Sequence, residues 1–317
     1  MTRQSDPSAT CPYVRLDADA GEALSSVNRA QVMALYKQHG ALLLRGYEDD
    51  LEGFGRFAAD FCPISVHNES RNRVTLGTVQ DVQSVNLGVQ PFPLHPELSR
   101  EPWKPDSCFF YCVKPPQSGG ATTICDGVAL VKALSEDLRT VMAAQRLKYI
   151  APAGPEILEY WLGDAVPATM LLANPPAPCP YTFEQRGDQI VRTFTRPFLH
   201  RPMFTDGLAF GNFLLFARYL RGIRTFPVLD DGTVVPDVWV QSIKEISDRL
   251  TVPIWWEKGD LLMLDNSRFM HGRTAVTDPN DRLIATYFGY LDGAIPGAEE
   301  PAQAPWRQPG FRPPTIL

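Results

Sequence analysis

The chain has 317 residues, a formal net charge of -6 at pH 7 and a charged fraction of 21%. Its hydrophobic fraction of 44% is ordinary for a globular protein, and its length is enough for one large domain or two small ones. The negative charge argues against non-specific nucleic-acid binding, because that binding needs a basic surface.

The sequence predicts a cytoplasmic protein that does not cross a membrane. Its longest apolar runs, such as residues 41–44, are too short to span a bilayer. Residues 1–6 lack the apolar region of a signal peptide. The even number of cysteines would permit disulfides, but without a secretory signal we expect reduced thiols. None of them has CxxC spacing: Cys11, Cys62, Cys108, Cys112, Cys125 and Cys179.

Apolar spacing and turn residues predict the elements of one domain, 1–317, with a loose N-terminus, 1–10, and an extended proline-rich tail, 292–317. The predicted helices are 26–39, capped by Ser26 and ended by Gly40, then 51–61, then 128–144 with a break at Ser135, and a last helix to residue 250 that Asp237 caps. The predicted strands are 41–46, 108–113, 189–194, 253–256, 261–264 and 282–291, with a hairpin over 226–235 that turns at Asp231-Gly232.

Two imidazoles and one carboxylate occur in a pattern that suits iron. Side chains alternate along a strand, so His95 and Glu97 point to one side while Pro96 points away. A third ligand, His271, would come from a distant strand. Two histidines and a carboxylate on one face of a metal leave the other positions open, as in non-haem Fe(II) oxygenases. To bring these segments together we expect a mainly β (α+β) fold with a jelly-roll core.

The open positions suit an oxidising keto acid and dioxygen. The distal carboxylate of a dianionic keto acid needs a cation, and Arg282 is the candidate because a guanidinium binds a carboxylate in a bidentate fork. Thr286 shares the face of Arg282 on the predicted strand. The turn at 119–123 can add one hydroxyl, and alternation lets either Thr122 or Thr123 face the site, not both.

These segments resemble the TauD/TfdA (clavaminate-synthase-like) group of Fe(II)/2-oxoglutarate dioxygenases, in particular SyrP-type hydroxylases of natural-product pathways. The resemblance covers about 85–130 and 237–290, whereas 150–225 does not align. Pro96 departs from the form expected after the first histidine. The motifs that carry the resemblance are 94–97, 109–112 with 115–122, 256–260 leading into 265–273, and Arg282.

The resemblance implies a double-stranded β-helix, iron bound by His95, Glu97 and His271, and 2-oxoglutarate held by Arg282 and Thr122. The implied reaction couples decarboxylation of 2-oxoglutarate, with O2, to oxidation of an unactivated C–H bond, most commonly hydroxylation. Halogenating relatives replace the carboxylate ligand with a small residue, so Glu97 disfavours halogenation. We expect a small amino-acid-like substrate, free or carrier-bound, in a pathway such as antibiotic biosynthesis.

Other functions remain open at this point. A catabolic oxygenase of a sulfonate, an aryloxy acid or a betaine would need an extra cation, for which Arg273, Arg196 and Arg201 are candidates, or clustered aromatic rings for the betaine. A binding module without turnover and a zinc hydrolase are the remaining classes. The hydrolase would leave Arg282 and Thr122 unexplained.

The site residues also have purely structural interpretations. His95 would then be a surface residue and His271 a hydrogen-bonded core residue. Arg268 and Arg273 either position the substrate or the ligand loop, or form ion pairs with a nearby carboxylate, for which the candidates are Asp260, Asp265 and Asp278.

Overall fold

The protein is described by a computed structural model that covers residues 3–8, 10–78, 81–301 and 303–314. These residues form antiparallel sheets with flanking helices. The strands are β1 (Arg3–Ser5), β2 (Val14–Asp17), β3 (Ala41–Arg45), β4 (Ile64–Ser65), β5 (Gln83–Ser84), β6 (Phe92–His95), β7 (Ser107–Lys114), β8 (Thr122–Asp126), β9 (Arg146–Pro152), β10 (Thr182–Arg186), β11 (Gln189–Pro197), β12 (Val228–Leu229), β13 (Val252–Ile254), β14 (Leu261–Asp265), β15 (Phe269–Arg273) and β16 (Leu283–Tyr290). The helices are α1 (Arg29–His39), α2 (Leu51–Phe61), α3 (Gly127–Ala133), α4 (Glu136–Ala143), α5 (Pro155–Leu162), α6 (Thr169–Ala173), α7 (Leu214–Tyr219) and α8 (Asp237–Leu250).

Two sheets face each other across an apolar core. The larger sheet has the order β1-β2-β3-β14-β7-β16-β4, with β5 also paired to β16, and the smaller has the order β13-β8-β15-β6. Phe110 and Leu262 of the larger sheet pack in one cluster with Ile124 and Ile254 of the smaller sheet. A third sheet, β10-β11-β9-β12, is built from the middle of the chain. The mixed α+β fold with a jelly-roll core is confirmed.

The central strands of the larger sheet are buried on both faces. In β3, Leu43 joins the core between the sheets, whereas Leu42 and Leu44 join a second cluster beneath the helices. Phe54 and Phe61 of α2 belong to that second cluster. A strand covered on both faces reads as a continuous apolar run, which is why residues 41–44 lack alternation.

Helix α2 and the break at Ser135 agree with the sequence predictions, but two predicted caps are wrong. The side chain of Asn28, not that of Ser26, caps α1 by accepting the N–H of Gln31 at 3.0 Å. Ser26 ends a separate 3-10 turn. Asp237 is the first residue of α8, makes no cap hydrogen bond and pairs with Arg218 at 2.7 Å.

The predicted hairpin over 226–235 is largely absent. Gly232 adopts the expected left-handed conformation, with φ 86°, but only the first arm is a strand. That arm pairs with β9, and its contact with the second arm is a single bridge between Val228 and Val234. The second arm is irregular apart from this bridge.

Both chain ends are more ordered than the sequence predicts. Part of the segment expected to be loose forms β1, which pairs with β2, although residues 1, 2 and 9 lie outside the described part. In the proline-rich tail, Trp306 is buried and Arg307 forms ion pairs with Asp106 at 2.7 Å and Glu300 at 2.5 Å. Residues 302 and 315–317 of that tail are not described.

No helix in the described part of the chain is long and apolar enough to cross a membrane. The six cysteines are free thiols.

Candidate active site

Two neighbouring strands of the smaller sheet bring the predicted metal ligands together. Strand β15 pairs with β6 so that His271 lies opposite His95, with the ring centroids 4.7 Å apart. Glu97 lies two residues beyond the end of β6, and Leu98 then turns the chain with φ 50°. One ligand atom from each of the three residues lies within 4.8 Å of the other two.

The ring of His95 is held in the tautomer that a metal requires. Its Nδ1 lies 2.8 Å from the carbonyl oxygen of Pro93, which can only accept, so Nδ1 carries the proton and Nε2 keeps its lone pair. Burial lowers the pKa of His95, against a smaller opposing effect of Glu97. The imidazole is therefore neutral at pH 7, which is the ligating form.

His271 is not a hydrogen-bonded core histidine. Burial lowers its pKa well below the usual value, and the charges of His95 and Arg73 add to the shift. Its Nδ1 is buried without a hydrogen-bond partner among the described residues. Its Nε2 lies 3.8 Å from Oε2 of Glu97, too far for a hydrogen bond. A buried imidazole whose nitrogens make no hydrogen bond among the described residues fits a ring that is arranged to bind a metal.

Glu97 is fixed by residues that sequence reasoning missed. Its Oε1 accepts a 2.6 Å hydrogen bond from Nδ2 of Asn68, and its Oε2 accepts a 3.0 Å bond from Nη2 of Arg73. The side chain of Asn266 bonds both the N–H and the C=O of Glu97. Asn266 belongs to the motif at 265–273, but Asn68 and Arg73 lie in an irregular loop with no pattern that predicts their role.

Aromatic side chains pack against the two imidazoles. Phe110 of β7 contacts His271 edge-on, with 5.1 Å between centroids, and Phe216 of α7 contacts His95 in the same way at 4.9 Å. Phe110 is part of the core, and its contact with His271 also makes it part of the site. Rings of this kind limit access of water to the ligands.

Arg282 and Thr122 lie together near the start of β16. Arg282 donates from Nε to the carbonyl of Gly120 at 2.7 Å, and its Nη2 lies 3.5 Å from Oγ1 of Thr122. Oγ1 of Thr122 also accepts a 3.1 Å bond from Nε1 of Trp256. Burial, with the charge of Arg273, lowers the pKa of Arg282 to about 9. Arg282 makes no ion pair within the described part of the chain, so it is a partly buried cation that lacks an anion.

The remaining candidate residues have different surroundings. Arg268 pairs with Asp126 at 2.7 Å, not with any of the three carboxylates considered from sequence. Arg273 donates to the backbone carbonyls of Asn86 at 2.6 Å and Gln90 at 2.7 Å, and Thr286 contacts Arg73 at 3.2 Å. The two candidates from the middle of the chain have other partners. Arg196 donates to backbone carbonyls, and Arg201 pairs with a carboxylate.

The jelly-roll core and the His-x-Glu…His ligand set together define a non-haem iron oxygenase. The sequence matches the family described as taurine catabolism dioxygenase TauD, TfdA over residues 4–287. The chain belongs to this family. No curated protein matches the sequence.

Solved structures with the same fold include enzymes of different pathways. PvcB from Pseudomonas aeruginosa shares 15% identity and a TM-score of 0.60, with 93% of each chain covered. A taurine dioxygenase from Burkholderia xenovorans shares 16% identity and a TM-score of 0.62, with 95% of this chain and 92% of that chain covered. At these identities the likeness shows the fold alone.

The protein is an Fe(II)/2-oxoglutarate-dependent dioxygenase, and Fe(II) and 2-oxoglutarate are its cofactors. His95, Glu97 and His271 form its facial triad. It acts on a small molecule.

Proposed function

We propose that this dioxygenase hydroxylates, or otherwise oxidises at an unactivated C–H bond, a small amino-acid-like molecule, free or carrier-bound, in natural-product biosynthesis. Residues 1–317 would act as one domain in the cytoplasm, which the free thiols support. The observation that carries the proposal is the contact of Arg282 with Thr122, on the strand that pairs with that of His271, beside a triad of neutral imidazoles and a carboxylate.

Each residue of the proposed site has a distinct role. The triad would hold Fe(II), which when bound couples the oxidation of 2-oxoglutarate to the activation of dioxygen. Arg282 would bind the distal carboxylate of 2-oxoglutarate through its free N–H groups, and Thr122, positioned by Trp256, would add a hydroxyl donor. Phe110 and Phe216 would exclude water from the two imidazoles.

Polar groups next to the triad support an amino-acid-like substrate. Asn68 and Arg73 lie against Glu97, where they can contact the polar end of a substrate bound in front of the metal. A second PvcB structure, 16% identical to this chain, is described as an Fe, α-ketoglutarate-dependent oxygenase from an isonitrile synthetic pathway. That biosynthetic setting agrees with the motif resemblance to natural-product hydroxylases.

A catabolic function is the second candidate, and the Arg73 guanidinium beside Glu97 favours it for an anionic substrate such as a sulfonate or an aryloxy acid. The rings of Phe92 and Phe216 lie beside His95, with their centroids 5.7 Å apart, and Phe213 packs against Phe216 at 4.7 Å. Clustered rings suit a quaternary ammonium such as a betaine. The cation of Arg73 opposes a positively charged substrate group, so a sulfonate or aryloxy acid fits better than a betaine. A non-catalytic module fits least, because the triad is intact.

The first test is anaerobic addition of Fe(II) and 2-oxoglutarate to the purified protein. A weak visible charge-transfer band is expected. His95→Ala should abolish the band, and Arg282→Ala should require roughly tenfold to a hundredfold more 2-oxoglutarate, because hydrogen bonds to a charged group are lost. Succinate release is then screened with amino acids and carrier-bound amino acids. Absence of the band together with tight zinc binding would contradict the proposal.

A further inference from the structure

We infer that Arg73 anchors a carboxylate of the organic substrate beside the metal, so that the enzyme selects an anionic substrate. This inference rests on the proposed function and names the substrate class of the same site. Arg73 lies in the loop between β4 and β5, and its side chain is only 5% exposed.

Arg73 reaches the side of the ligand carboxylate that faces the metal position. Its Nη2 donates to Oε2 of Glu97, and this same oxygen lies 3.8 Å from Nε2 of His271. A cation bound to this oxygen competes with a metal cation for it. Metal binding to Glu97 therefore weakens the ion pair and leaves the guanidinium in need of another anion.

Glu97 does not need Arg73 to hold its position. Its other carboxylate oxygen accepts a 2.6 Å hydrogen bond from Asn68, and Asn266 holds its backbone N–H at 2.8 Å and its C=O at 3.1 Å. Neutral amides orient the ligand without repelling the metal. A buried arginine is a poor choice for the same task, so a purely positioning role does not explain it.

The charges of the loaded site do not balance without a further anion. Fe(II) brings two positive charges, and Arg73 and Arg282 bring one each. Glu97 supplies one negative charge and the two carboxylates of 2-oxoglutarate supply two, which leaves one positive charge over. Arg273 adds another buried cation. Within the described part of the chain, the only ion pair of these three arginines is the one between Arg73 and Glu97. Buried charges are normally paired.

The missing anion belongs to the organic substrate, not to 2-oxoglutarate. Arg73 contacts Thr286 on β16, four residues beyond Arg282 and therefore about 13 Å along the strand. One carboxylate of a chelating keto acid is neutralised by the iron, and the other by Arg282. The Nε–H of Arg73 is buried and has no hydrogen-bond partner among the described residues, so one donor of the guanidinium is unused.

The test uses the redox-inert complex of the protein with Mn(II) and N-oxalylglycine, an analogue of 2-oxoglutarate. The probes are L-amino acids, their N-acetyl derivatives and short-chain carboxylic acids, each compared with its primary amide by calorimetry. The proteins are the wild type, Arg73→Met, Arg73→Lys, and Arg192→Met as the matched control. Arg192 is also a buried arginine, and it donates to the carbonyl of Pro152 in the third sheet.

We expect at least one acid to bind the wild type and the control more tightly than its amide. Arg73→Met should weaken the binding of that acid by roughly thirtyfold or more and leave the binding of the amide unchanged. The reason is that the acid would lose its partner in a buried charge pair. Arg73→Lys should restore part of the preference. Equal binding of acids and amides by the wild type, or no binding of any acid, overturns the inference.

Metal affinity distinguishes a role of Arg73 in anchoring the substrate from a role in positioning Glu97. If Arg73 only positioned Glu97, Arg73→Met would weaken Mn(II) binding, as loss of an orienting partner usually does. We expect unchanged or tighter binding, since a cation is removed from the vicinity of the metal. Weaker metal binding, or a selective loss of 2-oxoglutarate affinity in the anaerobic Fe(II) titration, overturns the inference. Absence of the charge-transfer band in the wild type would instead refute the proposed function.

Discussion

Asn266 clamps the main chain of Glu97 from the turn between β14 and β15. Its Oδ1 accepts the N–H of Glu97 at 2.8 Å, and its Nδ2 donates to the C=O of Glu97 at 3.1 Å and to that of Pro105 at 2.8 Å. The turn that precedes the strand of His271 therefore also fixes the loop that carries the carboxylate ligand. One amide side chain couples the two halves of the triad.

Replacement of Asn266 by alanine should impair both stability and metal binding. The substitution leaves a buried N–H and two carbonyls unpaired, and each such group costs about 1–3 kcal/mol. With three such groups, we expect a loss of about 3 kcal/mol or more in the free energy of unfolding. We also expect weaker Fe(II) binding, and the two effects are measured by denaturant titration and by metal titration. Asn280→Ala, at an exposed turn, is the control. Equal behaviour of the two variants would show that the clamp is unimportant.

Asn68→Ala should reduce metal affinity. The variant removes the 2.6 Å hydrogen bond to Oε1 of Glu97, and loss of such a partner typically weakens metal binding about tenfold to a hundredfold. The measurement is Mn(II) titration of the apo-protein. Unchanged affinity would mean that the main-chain contacts of Glu97 with Asn266 are enough to hold it.

The affinity for 2-oxoglutarate should depend on pH through Arg282, whose pKa burial lowers to about 9. The charged form binds the carboxylate. It predominates below pH 9 and is lost as the pH rises through that value. We expect a constant dissociation constant near neutral pH and about a tenfold increase for each pH unit above 9. The anaerobic charge-transfer titration measures this dependence. A flat profile to pH 10 would contradict it.

Gly120→Ala should weaken 2-oxoglutarate binding through Arg282. A Cβ at this position would lie 2.8 Å from Cδ of Arg282, and the backbone φ of +62° also strains an L-residue. Gly21 has a φ of +80° and no atom within 4 Å of its would-be Cβ, so Gly21→Ala carries the strain without the collision. Both variants should lose about 1–2 kcal/mol of stability. Only Gly120→Ala should need more 2-oxoglutarate, and equal affinities would refute the placement of Arg282.

His200 should make the protein less stable in acid. Burial lowers its pKa from 6.5 to about 3, and its Nε2–H donates to the carbonyl of Ser267 at 2.7 Å. The unfolded chain takes up this proton below pH 6.5 and the folded chain does not, so stability falls as the pH falls from 6.5 toward 3. The contribution is about 1.4 kcal/mol per pH unit. His200→Gln should show a shallower loss of unfolding free energy over this range. Identical slopes would contradict the assignment.

Much of the triad was predictable because strand geometry is local. Side chains two apart share a face, which joins His95 to Glu97, and the motif at 265–273 marked His271 on a later strand. The buried strands and α2 were also visible in their apolar runs. By contrast, the sequence predicted little of the sheet that β9, β10 and β11 form in the middle of the chain. Of these three strands, it predicted only part of β11.

The environment of the triad was decided by tertiary structure alone. Asn68 and Arg73 come from an irregular loop whose sequence has no periodicity, and they meet Glu97 only because β5 pairs with β16. Ion-pair partners could not be predicted from the sequence either. Arg268 pairs with Asp126 on an adjacent strand and not with any of three carboxylates that are closer to it in sequence. Sequence alone determined which residues can ligate iron, because that depends on residue type and local spacing. The charge around the iron depends on long-range packing, and only the folded structure determines it.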